Sequence, residues 1–340
     1  MTAPYPVPPR PRPAGRQHGP AVVALGGGHG LSATLSALRL MTDRITAVVT
    51  VADDGGSSGR LREELGVLPP GDLRMALAAL CDESDWGLTW RDVLQHRFSS
   101  TGELDQHAVG NLLIVALWEL LGDTVEGLDW VGRLLGARGR VLPMATVPLR
   151  IEADVRRPDG TLDVVAGQSS VAVTADRIER VRLLPTDPPA RPEAVAAIES
   201  ADWVVLGPGS WYTSVLPHLL VPGLHDALLR TPARVVVTLN LCAEEAGETA
   251  GMRAEHHLDV LRGYAPGLPV HAVVADPSAV EDVTSLAAAT ERLGARLLLR
   301  QVRRGDGTAR HDPVRLAAAY RDVVEGFLGD VGTAPGSDGG

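Results

Sequence analysis

The feature that most constrains this chain is the run Ala21-Val22-Val23-Ala24-Leu25 passing directly into Gly26-Gly27-Gly28-His29-Gly30, with Leu31, Leu35 and Leu38 following. A continuous apolar run ending in glycines reads as a buried strand, and leucines at i, i+4 and i+7 read as one face of a helix. Ile45 to Val51 is apolar and rich in β-branched residues, as expected of a strand covered on both faces in a parallel sheet. Strand, tight loop, helix and strand make a right-handed βαβ unit.

The rest of the chain extends that unit. Gly71 to Gly136 is helical in pattern, an inserted helical region. Leu149 to Leu184 alternates in short segments around Pro158-Asp159-Gly160, which predicts a small antiparallel excursion at one edge of the main sheet. Strands are expected at Trp203 to Leu206, Arg234 to Leu239, Val270 to Ala275 and Arg296 to Val302, with a final helix from Val314 to Phe327. The fold class is α/β: a single Rossmann-like domain with a mainly parallel sheet over 21–329. A Pro/Arg-rich tail at 1–20, polyproline-like or a docking peptide, and a Gly/Ser-rich tail at 330–340 flank it.

Composition narrows the function classes. With 340 residues and 45% hydrophobic content the chain can bury a large core, and its net charge of -10 argues against an extended nucleic-acid surface. Cys81 and Cys242 lie outside any metal or disulfide spacing and are expected to be buried or half-buried thiols. Leu112 to Leu121 is too short to span a bilayer, which takes about 20 residues, and no secretory pattern precedes it. A cytoplasmic protein is expected.

Several loops carry candidate chemistry. A glycine-rich turn between a strand and a helix aims N–H groups at an anion, so Gly26, Gly27, Gly28 and Gly30 suit phosphate, although a plain tight turn needs the same glycines. The spacing is neither GxGxxG nor a P-loop. At the next strand end stand Asp53, Asp54, Ser57, Ser58 and Arg60, expected in the same crevice. There Asp53 suits ribose hydroxyls, the Asp53 and Asp54 pair suits hydrated Mg²⁺, and Arg60 suits phosphate.

Asp72 is suited to cap a helix and Arg74 to reach inward; His107 and Asn111, at i and i+4, share a helical face. A second glycine-rich turn, Gly207-Pro208-Gly209-Ser210-Trp211-Tyr212-Thr213-Ser214, follows an apolar strand, is expected to open a helix, and would grip a diphosphate from the other side. Asn240 ends the following strand, where it would read a sugar or base edge or simply form a turn. Arg310-His311-Asp312 supplies a cation and an N-cap.

These stretches together resemble the YvcK/CofD-like family, in its gluconeogenesis-factor branch, over Val22 to Val323. The resemblance rests on Gly26-Gly27-Gly28-x-Gly30-Leu31-Ser32, Thr50 to Arg62, Pro70-Gly71-Asp72-Leu73-Arg74, His107-x-x-Gly110-Asn111-Leu112, Gly207-Pro208-Gly209-Ser210-x-Tyr212-Thr213-Ser214 and Arg310-His311-Asp312. It implies a Rossmann-like fold, UDP-N-acetylglucosamine or a related UDP-sugar as ligand, and no required cofactor. It also implies a regulatory role in cell-wall precursor supply and cell shape on gluconeogenic carbon sources, with the amidotransferase glucosamine-6-phosphate synthase as partner. A homo-oligomer is expected.

The sister branch transfers a 2-phospholactyl group with a divalent metal at its Asp pair, and that pair is not followed there by the Gly-Gly-Ser-Ser-Gly-Arg of this chain. Departures from the regulator pattern are Met75, where the branch often carries Asn, and the segment Leu241 to Ala246, one residue longer than usual and lacking a Gln. Besides the regulator, two readings stay open: a Mg²⁺-dependent 2-phospho-L-lactate transferase-like enzyme using Asp53 and Asp54, and an NAD-dependent oxidoreductase with Asp53 on the ribose.

Overall fold

The computed structural model describes residues 19–241 and 247–326. Residues 1–18 of the expected N-terminal tail, Cys242 with the rest of 242–246, Phe327 and the whole of the expected tail at 330–340 lie outside them. Cys81 is buried.

The main sheet has seven strands, all parallel: β1 (Val22–Gly26), β2 (Ile45–Val49), β3 (Arg140–Pro143), β7 (Trp203–Leu206), β8 (Arg234–Thr238), β9 (Val270–Ala275) and β10 (Arg296–Leu299). Their spatial order is β10-β9-β8-β7-β1-β2-β3. The chain moves outward through β1, β2 and β3, then returns to lay β7 against the free side of β1, with Leu25 opposite Leu206. That reversal is the topological switch point, where loops from two strand ends diverge and leave a crevice. The strands beside it are buried along their length because helices cover both faces, which is why they read as unbroken apolar runs.

Helix α1 (Gly28–Leu38) follows β1 and packs against α3 (Gly71–Leu80) and α12 (Pro313–Glu325). The inserted helical region is α3, α4 (Asp85–Gln95), α5 (Val109–Leu121) and α6 (Thr124–Leu134). Helices α8 (Pro192–Glu199), α9 (Pro222–Arg230), α10 (Ala254–Tyr264) and α11 (Val283–Arg292) fill the later crossovers.

The antiparallel segment forms as expected around a turn in which the Asp159 carboxylate accepts from the Thr161 amide at 2.9 Å. It is not an edge extension of the main sheet. Strands β4 (Arg150–Arg156), β5 (Leu162–Ala166) and β6 (Arg177–Leu184), with the short helix α7 (Gln168–Ala172), make a separate sheet of order β5-β4-β6.

Three other expectations change. The polar run from Asp53 to Arg60 is not all loop, since α2 (Gly56–Leu65) begins inside it. Strand β3, only four residues long, had no distinct pattern of its own. Strand β10 stops at Leu299 because the Asp276 carboxylate takes the Val302 and Arg303 amides at 2.7 and 2.8 Å, replacing ladder acceptors.

Helix α12 is fixed at its start by Asp312, which accepts from the Val314 and Arg315 amides, and mid-length by Tyr320. The buried Tyr320 hydroxyl lies 2.9 Å from Thr238 Oγ1 and 3.4 Å from Thr34 Oγ1, joining α12, β8 and α1. Tyr320→Phe leaves those threonine hydroxyls without this partner, so urea melts should show a loss of about 1–2 kcal/mol.

Candidate functional site

Two glycine loops meet at the switch point. An ideal Cβ on Gly30 would lie 2.2 Å from the Pro208 carbonyl oxygen and 2.6 Å from Gly209 Cα, so only a residue without a side chain lets the turns after β1 and β7 touch. Thr34, one turn further along α1, donates to the Gly207 carbonyl at 3.0 Å and fixes the contact. Gly28 has φ of +56°, a left-handed conformation natural to glycine.

The space between the loops is a cavity of about 510 Å³, within the roughly 300–1,000 Å³ usual for small-molecule sites. Gly27, Gly28, Gly30, Gly209, Ser210, Ser214, Asn240 and Arg310 all line it. Helix α1 has no acidic residue in its first turn and no side-chain N-cap, and helix geometry leaves its first amides without intrahelical acceptors. The helix dipole adds partial positive charge at this point.

Two further cations, Arg304 and Arg310, come from one turn. Arg303 and His311 form an antiparallel bridge, and the Arg304 amide donates to the Arg310 carbonyl at 2.9 Å, so the Gly305-Asp306-Gly307 turn presents both guanidinium-bearing residues at the cavity rim. Beside them His311 is buried, which pushes its pKa down to about 4 and keeps the ring neutral, and its Nε2 has no hydrogen-bond partner. Among the described residues lining this cavity none is acidic. Arg304 and His311 lie outside the sequence-predicted set; the visible signal was a pair of arginines flanking a Gly-Asp-Gly turn.

Asn240 does something other than read a ligand edge. Its Oδ1 accepts from the Gly209 amide at 2.9 Å and its Nδ2 donates to the Gly209 carbonyl at 3.0 Å, so it clamps the second loop and takes the amide expected to face phosphate. After Ser210 the chain makes a π-helical turn, Trp211–Val215, and then the 3-10 turn Leu216–Leu220, in place of the expected regular helix. Tyr212 and Thr213 turn away from the cavity: the Tyr212 amide donates to Glu248 at 3.0 Å, and the Thr213 carbonyl accepts from Gln168 at 3.1 Å.

The residues after β2 occupy neighbouring spaces. Asp53, Ser57, Ser58, Asp72 and Arg74 line a smaller cavity of about 230 Å³. Asp54 lines a different one with Arg60, its Oδ1 accepting from the Ser169 amide at 2.9 Å at the start of α7. Asp53 and Asp54 therefore do not face a common point, and the donor set expected for Mg²⁺ is not assembled by that pair. Arg60 donates to the Glu103 and Asp105 carbonyls and holds that loop; it does not reach the glycine loops.

Asp72 is not a side-chain cap of α3, whose N-cap is Pro70. Its carboxyl accepts from the Gly28 amide, and burial, reinforced by the nearby Asp53 carboxylate, pushes its pKa up to about 7. His107 and Asn111 do not share a helical face, because α5 begins at Val109 and His107 precedes it, and they line neither cavity. Ser57 Oγ lies 3.0 Å from His107 Nδ1 and accepts from Asn111 Nδ2 at 3.0 Å, while Asn111 Oδ1 accepts from Arg74 Nε at 2.8 Å. These buried groups position Arg74.

With this geometry in hand, comparison with known proteins is informative. The pattern of the family described as 2-phospho-L-lactate transferase CofD matches residues 22–325. A Mycobacterium tuberculosis (strain CDC 1551 / Oshkosh) protein named "Putative gluconeogenesis factor" is 53% identical over 314 residues, covering 91% of each chain. The Bacillus subtilis (strain 168) "Gluconeogenesis factor" is 41% identical over 245 residues, covering 72% of this chain and 75% of that one. A crystal structure of a UPF0052-family protein from Bacillus halodurans is similar with TM-score 0.80 at 35% identity, covering 90% of this chain and 99% of that chain.

Two outcomes follow from the geometry. Gly30→Ala forces the loops apart and should lower stability by about 1–3 kcal/mol, whereas Gly102→Ala, with nothing within 4 Å of its Cβ position, should stay within about 0.5 kcal/mol; denaturant melts compare the two. Because the folded pKa of Asp72 is raised, its contribution to stability is present at low pH and is lost as pH rises from about 4 towards about 7. Asp72→Asn should accordingly raise Tm at pH 8 and change it little at pH 4.

Proposed function

The chain belongs to the CofD-like family that includes the gluconeogenesis factors, and from that premise we propose that it binds a nucleotide sugar, UDP-N-acetylglucosamine in particular, as a regulator without turnover. The observation that carries this reading is the cavity at the switch point, where the α1 amides, Arg304 and Arg310 converge and none of the described lining residues is acidic. In a chain of net charge -10, such a cavity is a local reversal of sign that favours a diphosphate. The buried, neutral His311 adds a ring nitrogen able to meet a ribose or sugar hydroxyl.

The biological reading is that ligand occupancy adjusts cell-wall precursor supply and cell shape during growth on gluconeogenic carbon, in the cytoplasm, through a partner such as glucosamine-6-phosphate synthase and in a homo-oligomeric state. Among the described residues no helix is long and apolar enough to cross a membrane, in keeping with this reading.

A second reading, a 2-phospho-L-lactate transferase-like enzyme, is favoured by the description of the family pattern. The separate orientations of Asp53 and Asp54 speak against its metal site as expected from sequence.

Isothermal titration with UDP-N-acetylglucosamine tests the first reading. Binding is expected in the wild type, and Arg310→Gln should weaken it by about tenfold, the effect of losing a charge-assisted hydrogen bond. Intact ligand should be recovered after prolonged incubation. No heat at millimolar ligand defeats the proposal, and Mg²⁺-dependent consumption of a nucleotide-linked donor establishes the transferase instead.

A further inference from the structure

On the other side of α1 from the β7 loop lies a cavity of about 660 Å³ that the nucleotide-sugar reading does not use. It adjoins the first cavity at His29, Ser32 and Ser36, which line both, and the smaller Asp53 cavity at Arg74, Met75 and Arg97. Four arginines, Arg39, Arg74, Arg91 and Arg97, line it, and among its described lining residues none is acidic. Two of the four are compensated locally, Arg39 by Glu83 at 3.5 Å and Arg91 by Asp92 at 2.7 Å.

Arg74 and Arg97 differ. Neither has a carboxylate within ion-pair distance among the described residues. Arg97 donates only to the Gln106 carbonyl, at 2.8 Å. Arg74 is 97% buried by area, being 3% exposed, and its Nη1 is buried with no hydrogen-bond partner.

Leaving a guanidinium N–H unmatched inside a protein costs free energy, and like charges brought together cost more, unless something absent from the chain itself satisfies them. The cost is visible in Arg74, whose pKa is drawn down to about 10 by burial first and by Arg97 second; Asp72 and Asp53 oppose this from beyond ion-pair range. The buried relay from His107 through Ser57 and Asn111 to Arg74 Nε holds the guanidinium in place while leaving Nη1 open. Such a layout is what a preorganised anion receptor requires.

We propose that Arg74 and Arg97 form a second anion site, behind the first turn of α1, that takes a phosphomonoester or comparable dianionic group alongside the ligand of the first cavity. The group comes either from a separate small phosphorylated molecule or from a second anionic group on one elongated ligand threading past His29. The shared chemistry is the dianion.

The test isolates this site from the first one. The full chain carrying Arg304→Gln and Arg310→Gln is titrated calorimetrically with inorganic phosphate at low ionic strength, with and without Arg97→Gln added. Arg97 is exposed, so its replacement leaves the fold intact, and an unchanged thermal melt verifies that. Phosphate should still bind the double variant, and adding Arg97→Gln should weaken it by about tenfold or more.

Asn111→Ala, read with a melt alongside, should produce a similar loss by freeing Arg74, and should leave phosphate affinity dependent on Arg97. Loss of all phosphate binding in the Arg304/Arg310 variant overturns the proposal, as does indifference to Arg97→Gln. In the wild type, phosphate binding that persists under saturating UDP-N-acetylglucosamine assigns the site to a separate molecule; displacement assigns it to the distal part of the nucleotide ligand. Because the decisive arm uses phosphate and a variant lacking the first cavity's cations, its result stands whether or not the nucleotide-sugar reading holds.

Discussion

The contact of Gly30 with Pro208 and Gly209 is the constraint on which the functional architecture depends. In an open parallel sheet the two loops at a switch point diverge by topology, and nothing in the sheet itself brings them back together. Here the missing side chain at Gly30 lets one backbone rest on another, Thr34 bridges the remaining distance, and Asn240 holds the second loop from the third strand end. Three strand tips are thereby fused into one rigid wall. The amides of α1 face a cavity of defined shape because that wall cannot open without breaking contacts buried in the core.

Electrostatics follow from the same arrangement. No described residue lining the main cavity is acidic, yet Asp72 stands just outside it with its carboxyl towards the Gly28 amide. That carboxyl occupies a donor of the kind a phosphate oxygen would use. The raised pKa of Asp72 comes from burial and from the neighbouring Asp53 carboxylate, and the Gly28 amide opposes it. On the far side of α1 the excess has the same sign, with four arginines and no acid among the described lining residues.

Much of the fold was legible because its signals are local. Val22 to Leu25 and Ile45 to Val49 are apolar for the physical reason that both faces of their strands are covered, and the turn around Asp159 announces an antiparallel hairpin by its own chemistry. The two glycine loops were legible for the same reason, whereas their contact rests on the missing side chain at Gly30 and on Thr34. What stayed hidden was side-chain direction. Adjacent Asp53 and Asp54 look like a pair in sequence, but backbone geometry at the start of α2 sends one towards Asp72 and the other towards α7.

His107 and Asn111 were expected on one helical face, but His107 precedes α5 and the two meet only through Ser57, in support of Arg74. Arg60 and Asn240 likewise spend their hydrogen bonds on backbone far away in sequence, which no spacing rule reveals. Arg304 escaped because its importance depends on a turn whose two arms pair only after folding.

That turn divides the labour of recognition in an unusual way. The amides belong to the first turn of α1, held in place by the Gly30 contact, whereas both guanidinium groups ride on a single solvent-facing hairpin closed by Gly305-Asp306-Gly307. Surface hairpins tolerate replacement and changes of length far better than core strands. A change confined to this one short appendage alters the charge at the cavity rim while leaving the sheet and the contact between the glycine loops as they are.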